Sequence, residues 1–248
     1  MIIKDKVAII TGATRGIGRE IALIFSKYGA SLVLNGQNEY LLVELKKRLI
    51  KNGTKCSIVS GDISSPITSK KLVEKAIKQY NHIDILVNNA GIITRIPSEK
   101  MNLGEWDRVM EVNLKGTLCA CLAVIPFMKS QKYGKIINIS SAAAKYPHPN
   151  ASPSYGASKA GILYLTRHLA LEFASYGINV NAICPGPIKT EMTTQWDTVY
   201  RNTAISKIPL GRLGKPIEVA YVVLFLASNM SDFITGETIN INGGTIMD

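Results

Sequence analysis

The stretch Val7-Ala8-Ile9-Ile10 is wholly apolar, and it leads directly into Thr11-Gly12-Ala13-Thr14-Arg15-Gly16-Ile17-Gly18. A short, continuously apolar run with β-branched side chains predicts a strand that is buried on both faces. Apolar residues then recur at helical spacing from about Gly18 to Tyr28, and Gly29 is placed to end that helix. Glycines between a strand and a helix let the backbone turn tightly and approach a pyrophosphate at the positive end of the helix. This stretch therefore predicts a strand, an anion-binding turn and a helix.

The same alternation of strand and helix continues to the end of the chain. Further strands are predicted at residues 31–34, 56–60, 84–87, 135–140, 178–183 and 238–241. Helices are predicted at residues 39–52, 102–129 and 155–176, and another starts at Ser64-Ser65-Pro66. Strands that alternate with helices imply a parallel sheet covered on both faces. We therefore predict a single doubly wound α/β domain over residues 1–248, Rossmann-like, with about seven strands. The irregular stretch 185–215 is expected to be a lid or binding loop.

The composition excludes several classes of protein. With 46% hydrophobic residues, 20 Gly and 10 Pro in 248 residues, the chain is neither disordered nor collagen-like. The longest apolar stretch, Leu118 to Met128, is broken by Pro126 and is shorter than the roughly 20 residues of a membrane span. Residues 1–6 lack the features of a secretory signal. A globular cytoplasmic protein with no membrane partner is expected.

The four cysteines, Cys56, Cys119, Cys121 and Cys184, show no CxxC spacing and no nearby histidine. Zinc sites usually pair their ligands two to four residues apart, so no metal site is expected. The cysteines are predicted to be small buried residues in a reducing compartment.

The formal net charge is +11, from 29 Lys and Arg against 18 Asp and Glu. These positive residues are dispersed, and the densest run is only Lys46-Lys47-Arg48, with no interleaved aromatic residues. We interpret them as a solvated basic surface and expect no nucleic-acid partner.

The spacing TGxxxGIG in residues 11–18 resembles that of the short-chain dehydrogenase/reductase family, and the family's other motifs follow in order. They are Asp62-Ile63, Asn88-Asn89-Ala90-Gly91, Asn113, Ser141, Tyr155-x-x-x-Lys159, and Pro185-Gly186 with Thr190. Each stands at the end of a predicted strand or on a predicted helix, and the resemblance covers essentially all 248 residues. It implies an oxidoreductase that moves a hydride between nicotinamide and a carbonyl or secondary alcohol.

Tyr155 and Lys159 are four residues apart on a predicted helix, so their side chains share one face. A phenol has a pKa near 10, and a nearby ammonium is expected to lower it toward the range useful for acid–base catalysis. The resemblance implies that Tyr155 protonates the carbonyl oxygen and that Lys159 also holds the nicotinamide ribose. It further implies that Ser141 hydrogen-bonds the same oxygen and that Asn113 supports a proton-supplying water chain.

Two choices around this pair remain open in the sequence. Relatives usually place the catalytic serine thirteen residues before the tyrosine, whereas Ser141 is fourteen and Ser140 fifteen residues before it. Ser141 is the better match, and the extra residue is placed in the stretch 146–149, where it would reshape one wall of the pocket. His148 is a second candidate base, but it is better interpreted as a loop or pocket-lining residue.

The resemblance also implies a cofactor site. Its predicted residues are Gly12, Thr14, Arg15, Gly16, Ile17, Gly18, Gln37, Asp62, Ile63, Asn89, Ala90, Gly91, Tyr155, Lys159, Pro185, Gly186, Ile188 and Thr190. NADP(H) is favoured because Arg15 stands where it could meet a 2′-phosphate. NAD(H) is the alternative, because Glu39 follows the second strand and could bond the ribose hydroxyls, and Gln37 stands where NADP-preferring relatives often have a basic residue.

Within the family, residues 208–214, 225–228 and 234–244 most resemble 3-oxoacyl-acyl-carrier-protein reductases. That resemblance implies an acyl-thioester substrate, with acyl carrier protein as a partner. However, the two arginines with which those enzymes grip the carrier correspond here to Lys132 and Tyr176. The alternatives are a dehydrogenase or reductase of a sugar, polyol or steroid-like alcohol, and a dinucleotide-binding protein without turnover. A homotetramer is expected, with the apolar stretches 219–227 and 239–246 at subunit contacts.

Overall fold

A computed structural model of the protein describes residues 2–148 and 150–248. Within these residues, seven strands form one sheet: β1 (Val7–Ile10), β2 (Ser31–Gly36), β3 (Cys56–Ser60), β4 (Ile85–Asn88), β5 (Gly134–Ile139), β6 (Ile178–Pro185) and β7 (Thr238–Ile241). All neighbouring strands pair in parallel, in the order β3-β2-β1-β4-β5-β6-β7. The predicted doubly wound parallel sheet is confirmed.

The order of the strands reverses at β1. Ile9 is in register with Val33 of β2 on one side and with Leu86 of β4 on the other. From β1 the chain first moves outward to β3 and then returns to β4. At such a reversal the connections leave in opposite directions, so a crevice opens at the carboxyl ends of β1 and β4.

Helices cover both faces of the sheet. The α-helices of the described residues are α1 (Gly16–Lys27), α2 (Glu39–Lys51), α3 (Pro66–Tyr80), α4 (Leu103–Met110), α5 (Gly116–Gln131), α6 (Pro153–Phe173), α7 (Glu191–Thr194), α8 (Thr198–Ser206) and α9 (Pro216–Leu226). The apolar sides of α1, α2 and α9 pack on one face, and those of α3, α5 and α6 pack on the other. Because both faces are covered, the central strands are apolar at consecutive positions rather than at alternate ones.

The structure differs from the predicted elements in the carboxyl-terminal third. The stretch 185–215, expected to be irregular, contains the short helices α7 and α8. The segment 216–226 was not predicted as a helix but forms α9, whose residues Val219, Val223 and Leu226 are buried against α1. Most of the stretch 219–227 therefore belongs to the core of the chain itself. Pro149, at the end of the stretch expected to reshape the pocket wall, lies outside the described residues.

The long helical region predicted at 102–129 is divided in two. Between α4 and α5, residues Glu111–Lys115 form a π-helical turn, which holds one more residue than an α-helical turn. By length and composition alone, the helical stretch 103–131 could cross a membrane, but half of its most apolar window is buried inside the fold. It packs on β4 and β5 as a core helix, and a core helix can have the same length and composition.

Three of the cysteines match their predicted burial. Cys56, Cys121 and Cys184 are buried, whereas Cys119 is half-buried between α3 and α5. Burial raises the pKa of the Cys56 and Cys121 thiols to about 12. In the part of the chain that the structure describes, no three His, Cys, Asp or Glu side chains come together as metal ligands would.

Candidate active site

The glycine-rich turn between β1 and α1 leaves no room for a side chain at Gly12 or Gly18. Gly12 and Gly16 have φ values of +63° and +53°, which glycine adopts without strain. A Cβ on Gly12 would lie 2.8 Å from the Ala90 Cα, and a Cβ on Gly18 would lie 2.3 Å from the Gly12 carbonyl oxygen. The first turn of α1 runs from Gly16 to Arg19, so its positive end is accessible to an anion such as a pyrophosphate.

Asn89 joins this turn to the end of β4. Its Nδ2 donates hydrogen bonds to the carbonyl oxygens of Thr11 and Gly12, at 3.1 and 3.0 Å. In return, the Thr11 hydroxyl accepts hydrogen bonds from the backbone N–H groups of Asn89 and Ala90, both at 3.1 Å. Three residues of the predicted cofactor set, Gly12, Asn89 and Ala90, are thus joined through hydrogen bonds that involve Thr11.

The residues expected from the sequence to distinguish NAD from NADP are all exposed. Arg15 is the exposed N-cap residue of α1, and Gln37 is exposed just beyond β2. Glu39 is the exposed first residue of α2, where a carboxylate is favoured by the helix dipole. Thr14 packs its methyl group over Gly36 at the end of β2, and Ile17 packs against the core.

Asp62 follows β3 at the same edge of the sheet. Its Oδ1 accepts hydrogen bonds from the backbone and hydroxyl of Ser64, at 2.9 and 2.8 Å, and its Oδ2 is paired with Arg108. Burial favours a higher pKa for Asp62, but these hydrogen bonds and the Arg108 charge outweigh it, so the pKa lies below its ordinary value. The neighbouring Ile63 is buried against Gly116 of α5.

Asn113 lies within the π-helical turn and is fully buried. Its Oδ1 accepts the Ile92 N–H at 2.8 Å, and its Nδ2 donates to the Ile92 carbonyl at 2.9 Å and to the Ser158 hydroxyl at 3.0 Å. The side chain therefore ties the segment after β4 to α6. A Cβ on Gly91 would lie 3.2 Å from Asn113 Oδ1 and 3.3 Å from Lys159 Nζ, so Gly91 keeps this corner open.

The two adjacent serines after β5 have different surroundings. Ser140 is buried, and its hydroxyl donates to the Lys159 carbonyl oxygen at 2.8 Å. Ser141 is half-buried, and its hydroxyl accepts the Ala143 N–H at 3.1 Å and lies within hydrogen-bonding reach of Tyr155. This arrangement favours Ser141 as the serine that faces the reacting group.

Tyr155 and Lys159 lie on the first two turns of α6, with Lys159 Nζ 5.9 Å from the centre of the Tyr155 ring. Lys159 is buried, and its ammonium donates to the Ile139 carbonyl oxygen at 2.8 Å. Burial lowers the pKa of Lys159 to about 8, although the neighbouring Cys184 opposes this effect. Burial also raises the pKa of Tyr155, against the effect of Ser141 and together with that of Cys184. The expectation of a lowered tyrosine pKa is therefore not met, because burial outweighs the hydrogen bond with Ser141.

The residues predicted after β6 surround the same edge. Gly186 donates its N–H to the Ile241 carbonyl oxygen at 2.9 Å. Ile188 is buried and forms an isolated parallel β-bridge with Gly214. Thr190 is the N-cap residue of α7, and its methyl group is 3.4 Å from the position of a Cβ on Gly16. The segment 188–194 thus begins directly above the glycine-rich turn.

The other residues singled out in the sequence are His148, Lys132 and Tyr176. His148 is a loop residue with an exposed edge, and the partial burial of its ring together with the charges of Arg95 and Lys207 lowers its pKa. Lys132 and Tyr176 immediately precede β5 and β6. They therefore lie at the amino-terminal edge of the sheet, opposite the edge that carries Tyr155.

Sequence reasoning missed several residues that support the site. Ser158 holds Asn113, Arg108 holds Asp62, and Glu105 binds hydroxyl groups next to Tyr155. These contacts join distant parts of the chain, and the signal in the sequence that hints at one of them is the pair Ser152-x-Ser154 directly before Tyr155.

Comparison with known proteins agrees with this geometry. The profile of the family described as enoyl-(acyl carrier protein) reductase matches residues 12–245. A 3-oxoacyl-[acyl-carrier-protein] reductase FabG of Thermotoga maritima is 40% identical over 247 residues, which cover 100% of this chain and 100% of that one. The crystal structure of a 3-oxoacyl-[acyl-carrier protein] reductase from Brucella melitensis superimposes with a TM-score of 0.94, at 35% identity over 100% of this chain and 93% of that one. Another reductase of that name from Brucella melitensis, with bound NAD, gives a TM-score of 0.92 at 34% identity, again over 100% and 93%.

The parallel sheet, the glycine-rich turn, the Tyr155–Lys159 pair on α6 and the full-length similarity together identify the family of this protein. This chain belongs to the short-chain dehydrogenase/reductase family and is an NAD(P)-dependent oxidoreductase that acts on CH–OH groups.

Proposed function

We propose that this enzyme is an NADPH-dependent reductase of 3-oxoacyl thioesters that are carried on an acyl carrier protein. The observation that carries the proposal is the convergence of Ser141, Tyr155 and Lys159 in a chain that is similar over its full length to reductases of that name. The same three groups suit any ketone, so the substrate has to be argued from other residues.

The residues at the crevice fit a dinucleotide. The glycine-rich turn has no space for a side chain at Gly12 or Gly18, the positive end of α1 opens onto it, and Gly91 keeps the corner beside Lys159 open. We therefore propose that the residues predicted from the sequence, from Gly12 to Thr190, hold the dinucleotide along this edge. When bound, the nicotinamide supplies the hydride.

The chain's own residues would supply the proton and orient the substrate. We propose that the Tyr155 hydroxyl donates a proton to the substrate oxygen and that Ser141 donates a hydrogen bond to the same oxygen. The raised pKa keeps Tyr155 protonated at neutral pH, as reduction requires. Lys159 would hold the ribose of the dinucleotide, and Asn113 would keep the segment after β4 in place beside it.

The preference for NADPH rests on Arg15. Its guanidinium is exposed at the mouth of the crevice, where it is suited to a bidentate contact with a phosphate. Glu39 lies in the first turn of α2, where the helix dipole accounts for it without a ribose contact. NAD is the alternative. Under the proposal, Arg15→Ala lowers kcat/KM for NADPH and leaves kcat/KM for NADH within twofold.

The positive charges near the site support an anionic substrate. Arg95 and Lys207 approach the His148 loop from two other segments and are close enough to lower its pKa. The phosphodiester of a carrier-bound thioester would be attracted there. A second candidate is a small uncharged alcohol or ketone, such as a sugar, polyol or steroid-like compound. It is favoured by the replacement of both carrier-gripping arginines with Lys132 and Tyr176, at the opposite edge of the sheet.

The test is NADPH and NADH oxidation by the pure protein with an acetoacetyl thioester, followed by absorbance. The proposal predicts turnover that is faster with NADPH and is lost in Tyr155→Phe, which still binds the cofactor. Faster turnover with NADH would contradict the NADP preference. Turnover of sugars or polyols, but not of the thioester, would favour the second candidate.

We also propose a cytoplasmic homotetramer. The apolar residues Leu122 and Phe127 on α5 and Tyr164 and Leu171 on α6 are exposed on the outer sides of these helices. Because exposed apolar groups of this size are suited to contacts between subunits, a second copy of the chain is the proposed partner. Light scattering after size-exclusion chromatography should give four times 27.0 kDa, and a monomer would contradict the proposal.

A further inference from the structure

Glu105, in the first turn of α4, contacts three hydroxyl groups near the start of α6. Its Oε1 accepts a hydrogen bond from the Thr94 hydroxyl, a second from the Ser154 hydroxyl at 2.9 Å and a third, longer one from the Ser152 hydroxyl at 3.4 Å. We call Thr94, Glu105, Ser152 and Ser154 the hydroxyl cluster. None of these residues belongs to the catalytic or cofactor-binding sets described above.

The hydroxyl cluster is compact, and its Thr94 and Glu105 are half-buried. The Ser152 hydroxyl is 2.5 Å from that of Thr94 and 2.6 Å from that of Ser154, and both serines are buried. The Ser152 backbone N–H also donates to the Thr94 carbonyl oxygen at 3.0 Å. Glu105 Oε2 is buried as well, with no hydrogen-bond partner among the residues the structure describes. An ionised carboxylate only accepts hydrogen bonds, so Glu105 determines the direction in which these hydroxyl protons point.

The cluster is directly connected to Tyr155. Ser152 is the N-cap residue of α6, and its carbonyl oxygen accepts the N–H of Tyr155 at 3.1 Å and that of Gly156 at 3.4 Å. The Ser152 side chain does not cap the helix, and the first turn Pro153-Ser154-Tyr155-Gly156 contains no carboxylate. Glu105 therefore supplies from α4 the negative charge that favours a helix start.

We propose that Glu105 is a positioning residue for Tyr155. Through the hydroxyl cluster it holds the first turn of α6 against the segment after β4, and so keeps the phenol beside Ser141. Charge-assisted hydrogen bonds are shorter and stronger than neutral ones, so a carboxylate holds this turn more rigidly than an amide would. Small displacements of a reacting group are costly, because a shift of about 1 Å can reduce a rate a hundredfold. The inference rests on the proposed role of Tyr155 as the proton donor.

The test compares Glu105→Gln with wild type on any ketone that the wild type reduces. Asp107→Asn is the matched control, because Asp107 is exposed on the same helix two residues further on. The rate kcat is expressed per NADPH-binding site, so that unfolded molecules do not count. We expect Glu105→Gln to lower kcat about tenfold while KM for NADPH stays within twofold, and we expect Asp107→Asn to leave both unchanged. Ser154→Ala, which removes one hydroxyl of the cluster, should lower kcat in the same way.

The pH profile distinguishes positioning from a merely structural role. The hydrogen bond with Ser141 lowers the pKa of Tyr155, so a phenol displaced from Ser141 has a higher pKa. Reduction needs the protonated phenol, and the alkaline limb of kcat against pH should therefore move to higher pH in Glu105→Gln. An unmoved limb, or a kcat per site equal to that of wild type, would overturn the inference. The proposed function has a separate test, because it is contradicted if the wild type does not reduce the thioester, whatever Glu105→Gln does to another ketone.

Discussion

Burial of the Lys159 side chain disfavours its charged form. The side chain is only 4% exposed, and the Ile139 carbonyl oxygen at 2.8 Å is the acceptor of its ammonium. Desolvation lowers its pKa from 10.5 to about 8. At about 1.4 kcal/mol per pKa unit, this difference means that a charged Lys159 lowers the free energy of unfolding by about 3 kcal/mol.

Lys159→Met should therefore stabilise the protein while abolishing its activity. The lysine is charged in both the folded and unfolded states below about pH 8, so the full penalty is present there. As the pH rises from about 8 toward 10.5, the folded state releases its proton first and the penalty disappears. Methionine fills a similar volume without a charge, but it leaves the Ile139 carbonyl without its donor, at a cost of about 1 kcal/mol. We expect a net gain of about 2 kcal/mol at pH 6.5, falling to zero or slightly below by pH 10.

The assay is urea unfolding without cofactor, at pH values from 6.5 to 10, for wild type and Lys159→Met. Lys71→Met is the control, because Lys71 is exposed on α3. The free energies of unfolding of wild type and Lys159→Met should converge as the pH rises, whereas those of wild type and Lys71→Met should stay parallel. If Lys159→Met is less stable than wild type at pH 6.5, or if its difference from wild type does not change with pH, the reasoning is refuted.

Three further predictions concern other parts of the molecule. Gly18→Ala places a Cβ 2.3 Å from the Gly12 carbonyl oxygen, so it should lower the free energy of unfolding by about 1–3 kcal/mol and weaken NADPH binding. Thermal unfolding measures the first effect, and an unchanged stability would contradict the packing described for this turn. Ser140→Ala should lower the free energy of unfolding by about 1 kcal/mol with kcat retained, whereas Ser141→Ala should lower kcat about a hundredfold with stability retained; the reverse pattern would exchange their roles. Asp84→Asn, at the opposite edge of the sheet, removes a buried charge that pairs with Lys6 and accepts the Val7 N–H, and it should cost about 1.5–3 kcal/mol in urea unfolding without lowering kcat.

Much of the fold could be predicted because the strands are apolar at consecutive positions. Val7–Ile10 and Ile85–Val87 are buried on both faces, and this required helices above and below them. In a parallel sheet all strands end at the same edge. The glycine-rich turn, Asn89 and Ser141 each follow a strand, so they must lie together at the carboxyl-terminal edge. The predicted site therefore follows from topology together with the resemblance.

Other features depend on information that no local pattern contains. The hydroxyl cluster joins Thr94, Glu105 and Ser152, and only the packing of α4 on α6 brings these residues together. The direction of the Tyr155 pKa depends on how deeply the phenol is buried, which the four-residue spacing to Lys159 does not reveal. The short helices α7 and α8 were missed because the segments are too brief for a helical period to show.

The π-helical turn at Glu111–Lys115 has a consequence for chain length. Because it holds one residue more than an α-helical turn, deleting a residue there would allow one unbroken helix over 103–131. Each residue of a helix advances it by about 100° and 1.5 Å, so α4 would rotate relative to α5 and carry Glu105 away from Ser154. Such a deletion could leave Glu105, Asn113, Tyr155 and Lys159 all present in the sequence and still separate them in space. In this segment the number of residues is therefore under as strict a constraint as their identity.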